Sequence, residues 1–215
     1  MGLKRFQRLS RVLDRRQPDL TVLMERVNKP HNFSAILRNC DAVGILEVHV
    51  IPPEKGLHVH HDTSGGTAKR MRVHRHEDGL SAIRLLQKSG HHVVAANPGK
   101  QAVDFREMDY TRPTALLMGA ELFGITEESL READAMIQIP MLGLARSLNV
   151  SVATALILYE AYRQRDTAGL YDNPRIDPDR RRRLLFEWTY PELARRFREG
   201  GKKYPELNED GTIRG

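Results

Sequence analysis

An α/β fold, a mostly parallel sheet with helices on both faces, is the class this sequence predicts. Two observations carry it. Between residues 20 and 165, short runs rich in β-branched residues alternate with stretches of helical periodicity, as repeated strand-helix-strand crossovers require. The polar residues of this region gather where the strands run into loops, which is where open α/β sheets bind their ligands. With 215 residues, 40% of them apolar and 29% charged, the chain has the composition of a folded globular protein with one substantial core and appendages.

The elements follow in order. Arg5, Arg8, Arg11, Arg15 and Arg16 recur at three- and four-residue steps around Phe6, Leu9, Val12 and Leu13, which predicts an amphipathic helix with an arginine face ending before Pro18. Residues 20–27 read as a first strand and 32–43 as the helix after it. Further strands are expected at 46–51, 93–96, 115–118 and 136–139, with helices at 80–88, 127–132 and 148–165. A second basic helix opens at 180–183 and runs toward Trp188, and Arg195, Arg196 and Arg198 continue it. After Gly200 the glycines, proline and Asn-Glu-Asp-Gly predict poor order. Three segments result: a basic helical arm (1–19), the core (20–165), and a basic helical extension with its tail (166–215).

The formal net charge of +6 is unevenly placed. Residues 1–19 hold six Lys/Arg against two acids and residues 163–215 thirteen against ten, whereas 20–162 hold fifteen against sixteen. Basic extensions on a neutral core point to a polyanion, most simply nucleic acid, with solvated helix faces as the bland alternative. Trp188 and Tyr190 fit either base stacking or anchoring of the tail. No apolar run approaches the roughly 18 residues that span a bilayer, and the basic start lacks the apolar stretch of a secretory signal. A single cysteine, Cys40, supports no intramolecular disulfide and suits a reducing compartment, so a cytoplasmic location without membrane attachment is expected. Neither G-x-G-x-x-G nor G-x-x-x-x-G-K-[ST] occurs, which disfavours an ordinary dinucleotide or P-loop enzyme.

Three junctions hold the candidate chemistry. In Asn28-Lys29-Pro30-His31-Asn32-Phe33-Ser34-Ala35-Ile36-Leu37-Arg38, Asn32 is either a helix cap or a site residue, and Arg38, six residues on, either a surface charge or a catalytic group. In Met118-Gly119-Ala120-Glu121-Leu122-Phe123-Gly124, the glycines permit tight turns around Glu121, which is either a helix-start carboxylate or a functional acid. In Ile139-Pro140-Met141-Leu142-Gly143-Leu144-Ala145-Arg146-Ser147-Leu148-Asn149, an apolar loop offers its backbone to an adenine, and Ser147 or Asn149 either caps the next helix or holds substrate.

Taken together and in order, these segments resemble the SPOUT class of S-adenosylmethionine-dependent RNA methyltransferases, closest to the branch that methylates the ribose 2′-hydroxyl of guanosine 18 in tRNA. The resemblance runs from Arg15-Arg16-Gln17-Pro18-Asp19-Leu20 through the three motifs to Tyr159-Glu160-Ala161, Arg163-Gln164-Arg165 and Gly169-Leu170-Tyr171, most of the chain. It implies an enzyme with a trefoil knot near the carboxyl end of the core, an exception to the un-knotted rule. It also implies a homodimer, tRNA as partner, and S-adenosyl-L-methionine as cofactor, held by the backbone around Ala96, Gly119, Ile139, Met141 and Leu148. Arg38, Asn32, Glu121, Ser147 and Asn149 map to the family's catalytic positions; Arg8, Arg11, Arg15, Arg16, Arg163 and Arg165 are the expected RNA contacts. Arginine is an awkward general base because its guanidinium stays protonated, so base catalysis by Arg38 stands beside phosphate clamping and stabilisation of the developing alkoxide.

Leu122-Phe123 and Leu144-Ala145-Arg146 depart from the family's usual residues while the motif core survives. The short arms favour a tRNA substrate over ribosomal RNA, whose enzymes carry a separate amino-terminal domain. Two rivals remain: a metal enzyme built on His58, His60, His61, Asp62, His74 and His76, which lack a compelling zinc spacing, and a catalytically silent RNA-binding protein. No metal is expected.

Overall fold

Strands β1 (Leu20–Glu25), β2 (Glu47–Ile51), β3 (Arg72–Arg75), β4 (His92–Ala96), β5 (Val103–Asp104), β6 (Thr114–Met118) and β7 (Ala135–Gln138) form one sheet in the order β3-β2-β1-β6-β4-β7-β5. Every pairing is parallel, as the alternation predicts. In register, Leu20 lies opposite Thr114 and Thr114 opposite His92, so β1, β6 and β4 start level and bring their carboxyl ends to one edge. These observations come from a computed structural model that describes residues 2–53 and 70–214. The chain divides into two units, Pro18–Leu170 and the paired segments Met1–Gln17 and Tyr171–Gly215.

In the first unit alternate strand residues serve opposite faces. Val22, Met24, Val48, Val50, Val94, Leu116 and Met118 pack with Phe33, Ile36, Leu37 and Cys40 of α2 (Pro30–Ala42) and Ile157 and Leu158 of α5 (Val150–Thr167). Leu23, Ile51, Val93, Ala95, Ala115 and Leu117 pack with Ala82, Ile83 and Leu86 of α3 (Gly79–Lys88), and Leu130 of α4 (Glu127–Glu132) joins them. At the amino end of the sheet the Arg165 guanidinium, fully buried, donates to the Tyr110 carbonyl (2.8 Å), the Arg112 carbonyl (3.0 Å) and Asp19 Oδ1 (2.8 Å). The expectation that Arg165 contacts RNA is corrected here: its charge is spent inside the protein, pinning the end of α5 to the entrance of β1.

The second unit joins the two arms that the sequence separates. Phe6, Leu9 and Leu13 of α1 (Leu3–Asp14) are buried, and α1 packs on α6 (Pro178–Thr189), which packs on α7 (Pro191–Glu199). Arg181 of α6 reaches Ser10 and the Asp14 carboxylate of α1. Arg16 is buried with its guanidinium 5.3 Å from the Trp188 ring centre, so it holds this unit together rather than offering itself to a phosphate, and Trp188 is an anchor rather than a stacking surface. The expected disorder after Gly200 is also corrected. Tyr204 stacks on Phe186 at 4.7 Å, Tyr190 Oη donates to the Gly211 carbonyl at 2.8 Å, and Gly211 lies so close to Phe6 that a Cβ there would come within 2.5 Å of the ring.

Candidate active site

Pro30 stands at the first position of α2, where its missing N–H costs nothing and its fixed φ suits the helix. Lys29 is therefore the residue before the helix, and Asn32 is no cap. It sits two residues further in, buried, and its Nδ2 donates to Glu121 Oε1 at 2.7 Å. Glu121 is no helix-start carboxylate either, since α4 is capped by Thr126. It lies in the turn 120–124, which is closed by reciprocal main-chain bonds between Ala120 and Gly124, both 2.9 Å. Gly119 permits this closure: a Cβ there would lie 2.2 Å from the Gly124 carbonyl carbon.

The main-chain N–H groups of Asn28 and Lys29 also donate to Glu121, each at 3.3 Å. Desolvation pushes the Glu121 carboxyl upward, but the bonds from Asn32 and from the main chain of Glu121, Asn28 and Lys29 outweigh it and hold the group below the usual range. Glu121 thus stays ionised, an acceptor only, which forces the Asn32 amide to turn its NH₂ inward and its oxygen away. That oxygen accepts from Asn149 Nδ2 at 3.1 Å, and Asn149 Oδ1 in turn caps α5 by accepting from the Ser151 N–H at 2.8 Å. One partly buried anion thereby fixes the orientation of two amides, the three groups coming one from each junction. Asn149 is thus a cap of α5 that is also hydrogen-bonded to Asn32.

Arg38 and Ser147 are exposed and stand outside this chain of hydrogen bonds. Arg38 lies one and two-thirds turns along α2 from Asn32, about 9 Å further along the axis. Ala96 ends β4, and Gly119 and Ile139 follow β6 and β7, its neighbours in the sheet, so the backbone expected to hold a cofactor converges on the edge that carries Glu121. Leu142 and Leu144 of the loop before α5 are fully exposed, Met141 and Leu148 partly so. Apolar side chains beside the main chain of these loops fit an adenosine-bearing cofactor. A cleft of about 650 Å³ lined by Gln101, Glu127, Arg131 and Asp134 reaches the amino end of β7 and contains none of these residues.

Two contributors escaped sequence reading. The N–H groups of Asn28 and Lys29 act through the backbone, which leaves no residue signature. Asn39 donates from α2 to the Ser151 carbonyl at 2.9 Å, securing α2 to α5; its position seven residues after Asn32, on the same helix face, was the available signal.

Of the expected RNA contacts, Arg8 and Arg11 of α1 and Arg15 directly after it are exposed, and Arg163 is exposed but paired with Glu160 at 2.7 Å. His58, His60, His61 and Asp62 lie outside the described residues. His74 and His76 both lie against His49, with ring centres 4.8 and 5.1 Å away and His49 Nδ1 2.8 Å from His76 Nε2. Among the described residues no group of three or more ligand-type side chains is arranged to hold a metal, and no helix is long and apolar enough to cross a membrane.

The model of the SpoU rRNA Methylase family matches residues 19–159, and that of the SpoU rRNA methylase C-terminal segment matches 163–215. The tRNA (guanosine(18)-2′-O)-methyltransferase of Thermus thermophilus is 54% identical over 184 residues, covering 86% of this chain and 95% of the relative. The solved structure of the Aquifex aeolicus TrmH/SpoU tRNA modifying enzyme matches with a TM-score of 0.83 at 41% identity, over 88% of this chain and 97% of that one. An AdoMet-bound rRNA methyltransferase from Sinorhizobium meliloti matches with a TM-score of 0.62 at 31% identity, over 72% and 59%. The parallel sheet, the linked residues at its carboxyl edge and these matches agree with the resemblance seen in the motifs: the chain belongs to the SpoU family of RNA methylases.

Proposed function

We propose that this protein transfers a methyl group from S-adenosyl-L-methionine to the ribose 2′-hydroxyl of guanosine 18 in tRNA. The observation that carries this reading is the hydrogen-bonded chain Glu121-Asn32-Asn149, which unites all three motifs in a protein 54% identical to the Thermus enzyme that bears this activity in its name. The cofactor supplies an electrophilic sulfonium methyl, and the loops after β4, β6 and β7, with Ala96, Gly119, Ile139, Met141 and Leu148, are the residues to hold it.

Glu121 is saturated with donors and held acidic, which makes it a poor proton acceptor; its role is to orient Asn32 and, through it, Asn149. Asn149 is the exposed end of the chain and so the member that meets the ribose, with Ser147 two residues away on the same loop. Arg38 places a guanidinium at the surface of α2 to hold phosphate and offset charge developing on the 2′-oxygen as its proton leaves to solvent.

The exposed Arg8, Arg11 and Arg15 are the tRNA-contacting part of the arms, with residues 1–19 and 166–215 serving recognition and 20–165 chemistry. Val152, Leu156 and Tyr159 follow one another along α5 with 43–54% of their surface exposed, an apolar strip suited to a second copy of the chain. A homodimer, a knotted carboxyl end of the core and a cytoplasmic location complete the reading. The test is labelling of unmodified tRNA transcripts with methyl-labelled cofactor and mapping of 2′-O-methyl sites. Methylation at guanosine 18, lost when that base is replaced by adenosine, is expected; labelling only of ribosomal RNA, or none, overturns the proposal.

A further inference from the structure

Glu25 closes β1 and is 3% exposed, a buried carboxylate. Its Oε2 accepts from the Thr126 N–H at 3.0 Å, and its Oε1 from the hydroxyls of Thr126 at 2.9 Å and Ser129 at 2.7 Å. All three partners are neutral. A buried carboxyl group held by neutral donors is an expensive choice for a folding element, and apolar packing would fill the same volume at less cost. What distinguishes this position is the loop it grips. Thr126 ends the segment 119–126, whose turn carries Glu121, and Glu121 is held from the other end by the N–H groups of Asn28 and Lys29, three and four residues after Glu25.

The short stretch 25–32 therefore clamps the loop at both ends. The link between the two clamps is strained, because Arg26 is the one non-glycine residue with positive φ (54°) among the described residues, secured by its N–H to the Ile51 carbonyl at 2.9 Å. The amino end of α3 closes over the grip so tightly that a Cβ on Gly79 would lie 2.7 Å from Glu25 Oε1.

We infer that Glu25 is a positioning residue for the methyl-transfer site: by mooring Thr126 it sets the path of the loop 119–126, and so both the Gly119 backbone that faces the cofactor and the Glu121 carboxylate that orients Asn32. This rests on the reading of that loop as a wall of the cofactor site. Glutamine at position 25 preserves the mooring, since its oxygen accepts from the Thr126 N–H while its NH₂ donates to hydroxyls that turn to accept. Methionine, of similar volume, has no group to do either.

The test is calorimetric titration with S-adenosylhomocysteine, run beside thermal denaturation and steady-state methylation. Wild-type binding without guanosine-18 methylation would overturn the substrate proposal and leave this inference standing; absence of wild-type binding would overturn both. Glu25→Gln should bind within threefold of wild type, and Glu25→Met at least tenfold more weakly, with a raised KM for the cofactor. Should Glu25→Met fail to fold, Thr126→Ala and Ser129→Ala decide the matter. Both lose one hydroxyl contact to Glu25, yet only Thr126 belongs to the loop, so only Thr126→Ala should weaken binding, by threefold to tenfold. Equal affinities in these two variants, or wild-type affinity in folded Glu25→Met, would reduce Glu25 to a structural residue and overturn the inference.

Discussion

Replacing Arg165 by Met leaves the Asp19 carboxylate, with a side chain 18% exposed, without its cation, and the carbonyls of Tyr110 and Arg112 without their donor. Removing one partner of a buried, multiply bonded ion pair costs about 3–5 kcal/mol, and the partial exposure of Asp19 puts this case at the lower end, about 3 kcal/mol. The double variant Asp19→Leu/Arg165→Met removes both charges and should regain at least about 2 kcal/mol of that loss, a coupling energy that surface pairs do not show. The assay is equilibrium denaturation in urea followed by circular dichroism, with unchanged m-values as the control for a common unfolded state. A loss below about 1 kcal/mol, accompanied by weaker tRNA binding, would refute the reasoning and return Arg165 to the RNA-contacting set.

Asn149→Asp keeps the acceptor that caps α5 but turns the donor facing Asn32 into an acceptor, so turnover should fall at least tenfold with stability within about 0.5 kcal/mol of wild type, whereas Asn149→Ala should lose turnover and about 1 kcal/mol; single-turnover methylation beside thermal melts separates them. Arg38→Ala should cut methyl transfer by about 100-fold or more with near-normal S-adenosylhomocysteine binding, and Lys should restore only part, having charge without the planar fork. Neutralising Arg8, Arg11 and Arg15 together should reduce the salt slope of tRNA binding by up to about three, read by filter binding at several salt concentrations. Burial, and then His74, His76 and His91 nearby, lower the pKa of His49 to about 3, so it is neutral in the fold while the unfolded chain protonates near 6.5. Stability should therefore fall as pH drops below about 6.5 toward 3, by about 2 kcal/mol at pH 5 from this group, and His49→Gln should flatten the profile in urea titrations at stepped pH.

Hydrophobic patterning made the sheet legible in the sequence because strands buried on both faces are written as apolar runs, and residues 115–118 and 93–96 need no other signal. Arg72–Arg75 carries no such run. It is an edge strand with one face partly open and became visible only through its pairing with β2. The first strand stops at Glu25 rather than continuing to Val27 because Arg26 takes a left-handed turn that no propensity foretells. Asn32, Glu121 and Asn149 were legible as candidates because polar groups at the junctions after buried strands stand out, and the structure joins the three by hydrogen bonds. How they divide the work was not, since a three-way hydrogen-bonded arrangement exists only in space. Arg16 and Arg165 show the opposite limit: charge is plain in a sequence and burial is not, so two internal cations read as surface ones.

The residues that meet at the sheet's carboxyl edge lie far apart along the chain: 89 positions separate Asn32 from Glu121, and 117 separate it from Asn149. Such distant closures are slow steps in folding, since chain entropy must be lost before any contact rewards it. The buried link between Asp19 and Arg165 spans 146 positions and ties the entrance of β1 to the end of α5. A chain emerging from the ribosome consequently has no piece of this site in working order until nearly the whole Pro18–Leu170 unit has been made. Cofactor and substrate meet either the finished enzyme or an inert precursor, and ligand binding reports on completion of the fold as directly as any spectroscopic probe.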